Sequence, residues 1–451
     1  MGALFGTDGV RGVANVDLTP EMAFALGRAG SYVLASRSEG VRPRILVGKD
    51  TRISCDMLEA ALVAGICSTG SDALTVGIIP TPAVAYLTRV YEASCGIVIS
   101  ASHNPVADNG IKFFGPNGFK LPDEIETEIE KIVLGGTSDI PHPQGPEVGR
   151  VYTVPDAGNK YISYLMDCYS LDKDLSGITA VIDCANGAAY ELGPMLWERM
   201  GAKVIAINDQ PNGVNINDRC GSTDTGSLQK EVINSKADIG VAFDGDADRC
   251  ILVDERGNEL DGDLQILICA LDMQRRKKLD PPLVVVTVMS NIGLDMALQR
   301  ENVEIVSTKV GDRYVLEKMQ ETGGKIGGEQ SGHIIFLDHA TTGDGMLTSL
   351  KVAEVLKRTG LSLSELTREM EKQPQILVNV RIENKEKVLA LPLIKEVLEE
   401  AEQKLGKWGK LVVRPSGTEP LVRIMAQGPD KNLLEEVIED IRRAVESVSG
   451  I

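Results

Sequence analysis

The chain has 451 residues, of which 43% are hydrophobic and 25% are charged, and its formal net charge is −18. This length exceeds the size at which one hydrophobic core normally stops growing, so several domains are expected. The acidic balance argues against a nucleic-acid or anionic-membrane partner, because such binding draws on a broad basic surface. A small anionic ligand is compatible with it, provided that arginine and lysine residues gather in one cleft.

Neither the hydropathy nor the cysteine pattern indicates secretion. No segment is long and apolar enough to cross a bilayer, and the opening MGALF has neither the basic head nor the apolar stretch of a secretory signal. The eight cysteines form no CxxC pair and no metal-ligand spacing, which is typical of reduced structural thiols. A cytoplasmic location is therefore expected.

A short β-branched run, a loop and an amphipathic helical stretch alternate along most of the chain, which is the sequence form of α/β layers. The first third has predicted strands at 45–47, 73–79 and 96–100 and helices near 56–68 and 83–91. The alternation restarts at 179–184 and again at 283–288. Three units of similar size predict three similar mixed α/β domains. We number them domain I (1–155), domain II (156–256) and domain III (257–372).

The order of elements changes after Gln373-Pro374. A strand is predicted at 376–382 and a helix at 392–405, followed by paired strands near 411–412 and 422–425. This order is α+β rather than α/β. A smaller domain IV (373–451) is therefore expected to close the chain.

The first loop with chemical potential is SASHNP at 100–105, which follows a buried-looking strand. Ser102 stands there beside His103 and shortly before Lys112, so it can be held at the edge of a cleft. A serine that merely caps a turn is the competing interpretation. Unactivated serine is a poor nucleophile, so a catalytic role needs a base, a metal or a highly reactive phosphoryl donor.

The second loop is DGDADR at 244–249, which follows the predicted strand 239–243. Its alternate carboxylates can converge on one hard cation, and oxygen ligands of this kind suit Mg²⁺. A calcium loop of the EF-hand type is the competitor, with Glu255 at its twelfth position. The intervening residues 250–253 predict a strand instead, which favours magnesium. Arg249 adds a fork for a phosphate or a carboxylate.

Two further loops carry polar groups in chemically useful combinations. GGEQSGH at 327–333 alternates donors and acceptors that suit a ligand with several hydroxyls, and His333 could act as an acid or base, although a polar turn is equally compatible. RPSGTEP at 414–420, with Arg423 beyond it, offers the charge and hydroxyls that a phosphate needs. The N-terminal FGTDGVRG at 5–12 contains Arg11 but lacks a Walker A ending and a GxGxxG pattern, so it does not indicate nucleotide binding.

These loops, in this order and each in a different predicted domain, resemble the α-D-phosphohexomutase superfamily over essentially the whole chain. Any one of them is degenerate, whereas the four together are specific. Within the superfamily, FGTDGVRG, GEQSGH and RPSGTEP are most similar to the phosphoglucosamine mutase family. Phosphomannomutase/phosphoglucomutase relatives typically carry another residue where Gln330 stands.

The resemblance implies three related α/β domains and a smaller C-terminal α+β domain around a central cleft. It implies that Ser102 carries a phosphoryl group, one oxygen of which binds a single Mg²⁺ together with Asp244, Asp246 and Asp248. The expected catalytic residues are Ser102, His103, Lys112, Arg249, His333 and Arg11. The expected substrate-binding residues are Lys309, Glu329, Ser331, Arg414, Ser416, Gly417, Thr418 and Arg423.

The activity that the resemblance implies is interconversion of glucosamine 6-phosphate and glucosamine 1-phosphate through phosphoserine and a 1,6-bisphosphate, which feeds UDP-N-acetylglucosamine and cell-wall synthesis. Glucose 1,6-bisphosphate or glucosamine 1,6-bisphosphate is the expected activator, and Lys112 or His333 would manage the hydroxyl proton. A homodimer is also expected. Three alternatives stay open: a mutase for mannose or glucose phosphates, a phosphatase, and a non-catalytic sugar-phosphate binder.

Overall fold

The structure is a computed structural model that describes residues 4–6, 8–35, 42–172, 174–382, 384–415 and 420–448. Its described strands form four sheets that follow one another along the chain. Among the described residues, the helices are too short or too polar to traverse a bilayer. All eight cysteines lie in the described ranges and are unpaired.

Domain I contains the largest sheet. Its strands are β1 (Phe5–Gly6), β2 (Gly9–Val13), β3 (Arg44–Lys49), β4 (Asp72–Ile78), β5 (Cys95–Ile99), β6 (Asp108–Phe114) and β7 (Val151–Thr153). Its helices are α1 (Pro20–Ala35), α2 (Ser54–Cys67), α3 (Thr81–Val90) and α4 (Asp123–Gly135). The strand order is β1-β2-β6-β5-β3-β4-β7. The Gly- and Pro-rich stretch after α4 therefore leads back into the same sheet, because β7 pairs with β4.

Domain II begins with a helix whose buried side chains belong to an apolar cluster shared with domain I. Its helices are α5 (Ala157–Cys168), α6 (Leu192–Arg199) and α7 (Gly226–Ser235). Its strands are β8 (Thr179–Asp183), β9 (Lys203–Ile207), β10 (Ile239–Phe243), β11 (Cys250–Asp254) and β12 (Glu259–Leu260). Their order is β12-β11-β10-β8-β9.

Domains III and IV complete the described chain. Domain III has the helices α8 (Gly262–Arg275), α9 (Ile292–Arg300), α10 (Asp312–Thr322), α11 (Gly345–Thr359) and α12 (Leu363–Leu366) and the strands β13 (Leu283–Thr287), β14 (Glu304–Thr308), β15 (Ile326–Gly328) and β16 (Ile334–Phe336). Domain IV has the strands β17 (Gln375–Arg381), β18 (Lys410–Pro415) and β19 (Leu421–Gln427) and the helices α13 (Lys385–Ala390), α14 (Pro392–Leu405) and α15 (Lys431–Ser447). The orders are β14-β13-β15-β16 and β17-β19-β18.

Domains I, II and III share one four-strand core. The cores are β4-β3-β5-β6, β9-β8-β10-β11 and β14-β13-β15-β16. In each core the first three strands are parallel and the fourth is antiparallel to the third. The loop between the third and fourth strands is therefore equivalent in all three domains. These equivalent loops contain SASHNP, DGDADR and EQSGH, respectively.

The apolar core joins domains I, II and III but leaves domain IV with a core of its own. One buried cluster runs continuously from Leu46 of β3 through Tyr161 of α5 and Trp197 of α6 to Val284 of β13. Domain IV is built around a separate cluster that includes Ile424 of β19. The predicted fold class, three similar α/β domains followed by a smaller α+β domain, is confirmed, while the domain boundaries stay predictions.

Candidate active site

The serine loop of domain I and the aspartate loop of domain II meet at Ser102. The Ser102 hydroxyl donates to Asp244 Oδ2 at 2.6 Å, and its Oγ lies 3.2 Å from His103 Nδ1. Burial, together with the positive charges of Arg249 and Arg11, lowers the pKa of His103 to about 4, so its ring is neutral near pH 7. Ser102 adopts the left-handed conformation with φ of 54°. The serine is thus held directly on the first aspartate.

Asp244, Asp246 and Asp248 form a compact group in which one oxygen from each lies within 4.8 Å of the others. All three are buried, and the Oδ1 atoms of Asp246 and Asp248 have no hydrogen-bond partner among the described residues. Burial and the two neighbouring carboxylates raise the pKa of Asp244. A divalent cation would satisfy the unpaired oxygens and cancel this repulsion, so the donor set of the three aspartates fits Mg²⁺.

Cations and one more carboxylate surround the aspartate group. Lys112 Nζ lies 2.8 Å from Asp246 Oδ2 and 3.0 Å from Asp8 Oδ2, and Arg11 also pairs with Asp8. Lys120 Nζ lies 2.6 Å from Asp8 Oδ1. Although burial opposes the effect, Lys112, Lys120 and Arg11 hold the pKa of Asp8 well below its usual range. The predicted residues Arg11 and Lys112 therefore lie next to the aspartate loop.

Thr81 contributes to the site without having been identified from the sequence. It opens α3, and its hydroxyl donates to Asp246 Oδ2 at 2.6 Å. Its backbone N–H also donates to Asp246 O at 2.9 Å. The only local signal was a Pro-Thr-Pro sequence typical of a helix start, which carries no information about a partner in another domain. Asp8, by contrast, lies within the FGTDGVRG segment, whose arginine is predicted from the sequence to be catalytic.

His333 lies behind the aspartate loop, with its side chain only 3% exposed. The Gly343 N–H donates to its Nε2 at 3.0 Å, and although burial opposes the effect, Asp248 and Asp312 raise the pKa of His333. Nδ1 lies 3.7 Å from Asp248 Oδ2. Both ring nitrogens thus face protein groups, and the arrangement suits orientation of Asp248 better than proton exchange with a ligand in the cleft.

The third equivalent loop borders an open cavity of about 790 Å³ that is lined by residues of domains II, III and IV. Arg249 and Ser331 both line it. Glu329 Oε1 accepts the Gly311 N–H at 3.1 Å, and this contact ties the loop to the segment after β14, where Lys309 is exposed. The cavity offers hydroxyl, carboxylate and guanidinium groups to a polar ligand.

Domain IV presents two arginines side by side. Arg414 of β18 and Arg423 of β19 are directly opposite in the antiparallel ladder. Burial and the charge of Arg423 lower the pKa of Arg414. Like charges in this position repel each other, so an anion between or beside them is favourable. The other predicted phosphate-binding residues, Ser416, Gly417 and Thr418, lie outside the described residues.

Comparisons with known proteins define the class. Family models described as "Phosphoglucomutase/phosphomannomutase, alpha/beta/alpha domain I", "domain II" and "domain III" match residues 2–139, 159–257 and 261–373. The model of the C-terminal domain matches residues 377–444. The four models follow one another in order over nearly the whole chain. The chain is therefore a phosphohexomutase.

Similar proteins narrow the assignment. A phosphoglucosamine mutase of Syntrophomonas wolfei is 71% identical over 446 residues, covering 99% of both chains. A phosphoglucosamine mutase of Desulforamulus reducens is 53% identical, covering 99% of this chain and 100% of the relative. The chain therefore belongs to the phosphoglucosamine mutases of the phosphoglucomutase/phosphomannomutase family.

Solved structures share the fold at low sequence identity. A phosphoglucomutase/phosphomannomutase family protein from Burkholderia thailandensis superimposes with a TM-score of 0.81 at 23% identity, over 98% of this chain and 97% of its own. The N-acetylphosphoglucosamine mutase of Aspergillus fumigatus in complex with GlcNAc-6P and magnesium gives a TM-score of 0.70 at 18% identity, over 99% and 96%. The four-domain arrangement is therefore common to distant relatives.

Proposed function

We propose that this protein is a Mg²⁺-dependent phosphoglucosamine mutase that interconverts glucosamine 6-phosphate and glucosamine 1-phosphate through phosphorylated Ser102. The observation that carries the proposal is the contact between Ser102 Oγ and Asp244 in a group of three buried carboxylates. A protein that only bound sugar phosphates would not need a phosphoryl acceptor beside a metal-binding group. The full-length similarity to phosphoglucosamine mutases supports the choice of substrate.

Asp244, Asp246 and Asp248 would hold the cation, and the metal would supply charge neutralisation for the phosphoryl group in transit. Lys112 and Arg249 add positive charge from two sides of the same loop. Fixed charges of this kind stabilise a phosphoryl transition state without reorganising during the reaction. The chain's own residues thus provide the electrostatic part of catalysis.

The reaction consists of two transfers. In the first, a hydroxyl oxygen of the sugar phosphate attacks the phosphorus on Ser102, the bond from phosphorus to Ser102 Oγ breaks, and the sugar becomes a 1,6-bisphosphate. The intermediate then turns over, and Ser102 Oγ attacks its other phosphorus. The bond from that phosphorus to the sugar oxygen breaks, so Ser102 regains a phosphoryl group and the isomeric sugar monophosphate leaves. The proton lost by the sugar hydroxyl must be held nearby and returned to the leaving oxygen. Lys112 and His333 both stay candidates for this role, since each has a buried side chain beside carboxylates of the site.

The remaining residues would hold the ends of the sugar phosphate. Arg414 and Arg423, together with Ser416, Gly417 and Thr418, would bind the phosphate that is not reacting. Glu329 and Ser331 would bind sugar hydroxyls, and Lys309 would add charge at the rim of the cleft. A phosphate site on the separately cored domain IV can grip either end of the bisphosphate and release it between the two transfers.

Priming needs a phosphoryl donor from outside the catalytic cycle. Glucose 1,6-bisphosphate or glucosamine 1,6-bisphosphate would phosphorylate Ser102 and reload enzyme that has lost its phosphoryl group. The product would enter UDP-N-acetylglucosamine synthesis. The cytoplasmic location and the homodimer stay predictions from the sequence.

The test compares three substrates and one variant. Wild-type protein with Mg²⁺ and a trace of glucose 1,6-bisphosphate should convert glucosamine 6-phosphate to the 1-phosphate in preference to mannose and glucose 6-phosphates, and Ser102→Ala should not. Conversion of only mannose or glucose phosphate would keep the mutase mechanism and change the assigned substrate. Release of inorganic phosphate without bisphosphate would indicate a phosphatase, and no conversion of any of the three would refute the mutase.

A further inference from the structure

Two side chains from different domains bind the same pair of carbonyl oxygens in the serine loop. Arg52 of domain I donates from Nη2 to Ser102 O and to Asn104 O, each at 2.9 Å. Asn217 of domain II donates from Nδ2 to Ser102 O at 2.9 Å and to Asn104 O at 3.2 Å. The backbone carbonyls at and near Ser102 are thus hydrogen-bonded by two side chains, one from each domain.

The guanidinium of Arg52 binds this loop and Asp50. Its side chain is 0% exposed, and Nη1 donates to a third carbonyl, that of Pro105, at 2.8 Å. Its Nε pairs with Asp50 Oδ2 at 3.0 Å, and the same oxygen accepts the Ser100 hydroxyl at 2.6 Å. Ser100 Oγ in turn accepts the Ser102 N–H at 2.9 Å. A buried charge is costly unless its partners are complete, and here the partners are Asp50 and three carbonyl oxygens of the serine loop.

Asn217 reaches the loop because domain II is bonded to the segment around Arg52. Thr51 Oγ1 donates to Asn186 O at 2.6 Å, and Ile53 N donates to Gly213 O at 2.8 Å. The aspartate loop also packs against the serine loop, since a Cβ added at Gly245 would lie 2.5 Å from Ser102 O and 3.0 Å from Asn217 Nδ2. The carbonyl of Ser102 is therefore fixed by both domains that share the reaction.

The conformation of Ser102 explains why such fixing is needed. A φ of 54° is unfavourable for a non-glycine residue, and it persists only where the surroundings impose it. Relaxation of this residue would swing Oγ away from Asp244, which lies on the other domain. Phosphoryl transfer depends on alignment of attacking and leaving oxygens, so a small displacement is expensive in rate.

We propose that Arg52 and Asn217 are positioning residues that form a two-domain clamp on the carbonyls of Ser102 and Asn104. This inference rests on the proposed mutase function. Neither side chain contacts the reacting atoms; both act through the backbone of the loop. The clamp sets Ser102 Oγ against the aspartate group in the same place for each of the two transfers.

The central variant is Asn217→Ala, which removes one arm at a half-buried position, with Arg52→Lys as the second variant because it keeps the charge but loses the fork. Asn302→Ala is the matched control, since the exposed Asn302 of domain III shares the left-handed conformation of Asn217, with φ of 57° against 58°. The measurements are kcat and KM for glucosamine 6-phosphate, and hydrogen exchange of the backbone amides of residues 100–108. Expected are a roughly 10- to 100-fold lower kcat, a KM within about twofold of wild type, and faster exchange in both variants but not in the control.

Failure of the clamp and failure of the mutase function give different results. Wild-type kcat and unchanged exchange in Asn217→Ala would overturn the clamp, as would a raised KM with unchanged kcat. If the wild-type protein itself converts no hexose phosphate, the proposed function fails, and exchange alone decides about the clamp. Faster exchange at 100–108 in Asn217→Ala then supports it, and unchanged exchange overturns it.

Discussion

Thr81 and Asp246 stand 165 positions apart in the chain, yet the threonine hydroxyl fixes one oxygen of a carboxylate that would bind the metal. Lys112 Nζ is a second donor to the same oxygen, Asp246 Oδ2. Asp246 Oδ2 is therefore engaged by two donors, while Oδ1 has no hydrogen-bond partner among the described residues and is free to bind a cation. The two oxygens of Asp246 thus have different partners: Oδ2 is bonded to protein groups, and Oδ1 is left for a cation.

Thr81→Val keeps the shape of the side chain and removes this donor. We expect the Mg²⁺ concentration for half-maximal activity to rise, because Asp246 loses part of its orientation; one hydrogen bond is worth about 1 kcal/mol, or roughly fivefold. Titration of activity with Mg²⁺ measures the effect. Thr88→Val is the control, since the buried Thr88 hydroxyl on the same helix donates to Val84 O at 2.7 Å. An equal shift in both variants would contradict the account.

Elements place these residues through three equivalent loops, and their predictability from sequence differs. The strand β10 is predicted at its observed bounds because five apolar residues run uninterrupted between Asp238 and Asp244. The strand β6 is not predicted, since its opening Asp108-Asn109-Gly110 favours a turn. Pairing with β5 on one side and β2 on the other overrides that local preference.

The candidate site shows the same division. The motif-bearing loops could be identified from residue types alone, since each carries its chemistry in consecutive positions. Thr81, Arg52 and Asn217 could not, because each acts through contacts with a distant segment and leaves no local pattern. Long-range partners of single side chains become visible only when the sheets are assembled.

The facing arginines of β18 and β19 give a prediction for an element. Arg414→Gln removes a like-charge pair across the ladder, so the thermal midpoint at low salt should be unchanged or higher. The KM for glucosamine 6-phosphate should nevertheless rise roughly tenfold or more, because a charge-assisted contact to phosphate is lost. Arg381→Gln, on the exposed end of β17, is the control for both measurements. A lower midpoint without any change in KM would show that Arg414 serves stability instead.

The whole molecule consists of a continuous body formed by domains I to III and a domain IV with its own core. Polar contacts of α9's first turn join the two: Asn291 Nδ2 donates to Gln373 O at 3.0 Å, and Gln427 Oε1 accepts the Ile292 N–H at 2.8 Å. Asp263 lies under this junction and accepts the Asn291 N–H at 2.8 Å. Domain IV is thus attached to the body through amide side chains.

Asp263 makes this junction sensitive to pH. Burial and the neighbouring Asp261 raise the pKa of Asp263 to about 7. Since the folded pKa exceeds the unfolded one, the contribution of Asp263 to stability is present at low pH and is lost as pH rises through about 7. The thermal midpoint of Asp263→Asn relative to wild type should therefore increase between pH 5 and pH 8. The exposed Glu304→Gln is the control, and a pH-independent difference for Asp263→Asn would contradict the assignment.

The central claim is that Ser102 carries the phosphoryl group between enzyme and sugar, and a single-turnover experiment tests it most directly. Protein phosphorylated at Ser102 with a labelled phosphoryl group is mixed with Mg²⁺ and unlabelled glucosamine 6-phosphate, and peptide mass spectrometry follows the label. The account predicts that the label leaves Ser102 for the sugar, with glucosamine 1,6-bisphosphate as the first labelled species. Formation of glucosamine 1-phosphate while the label stays on Ser102 would contradict it.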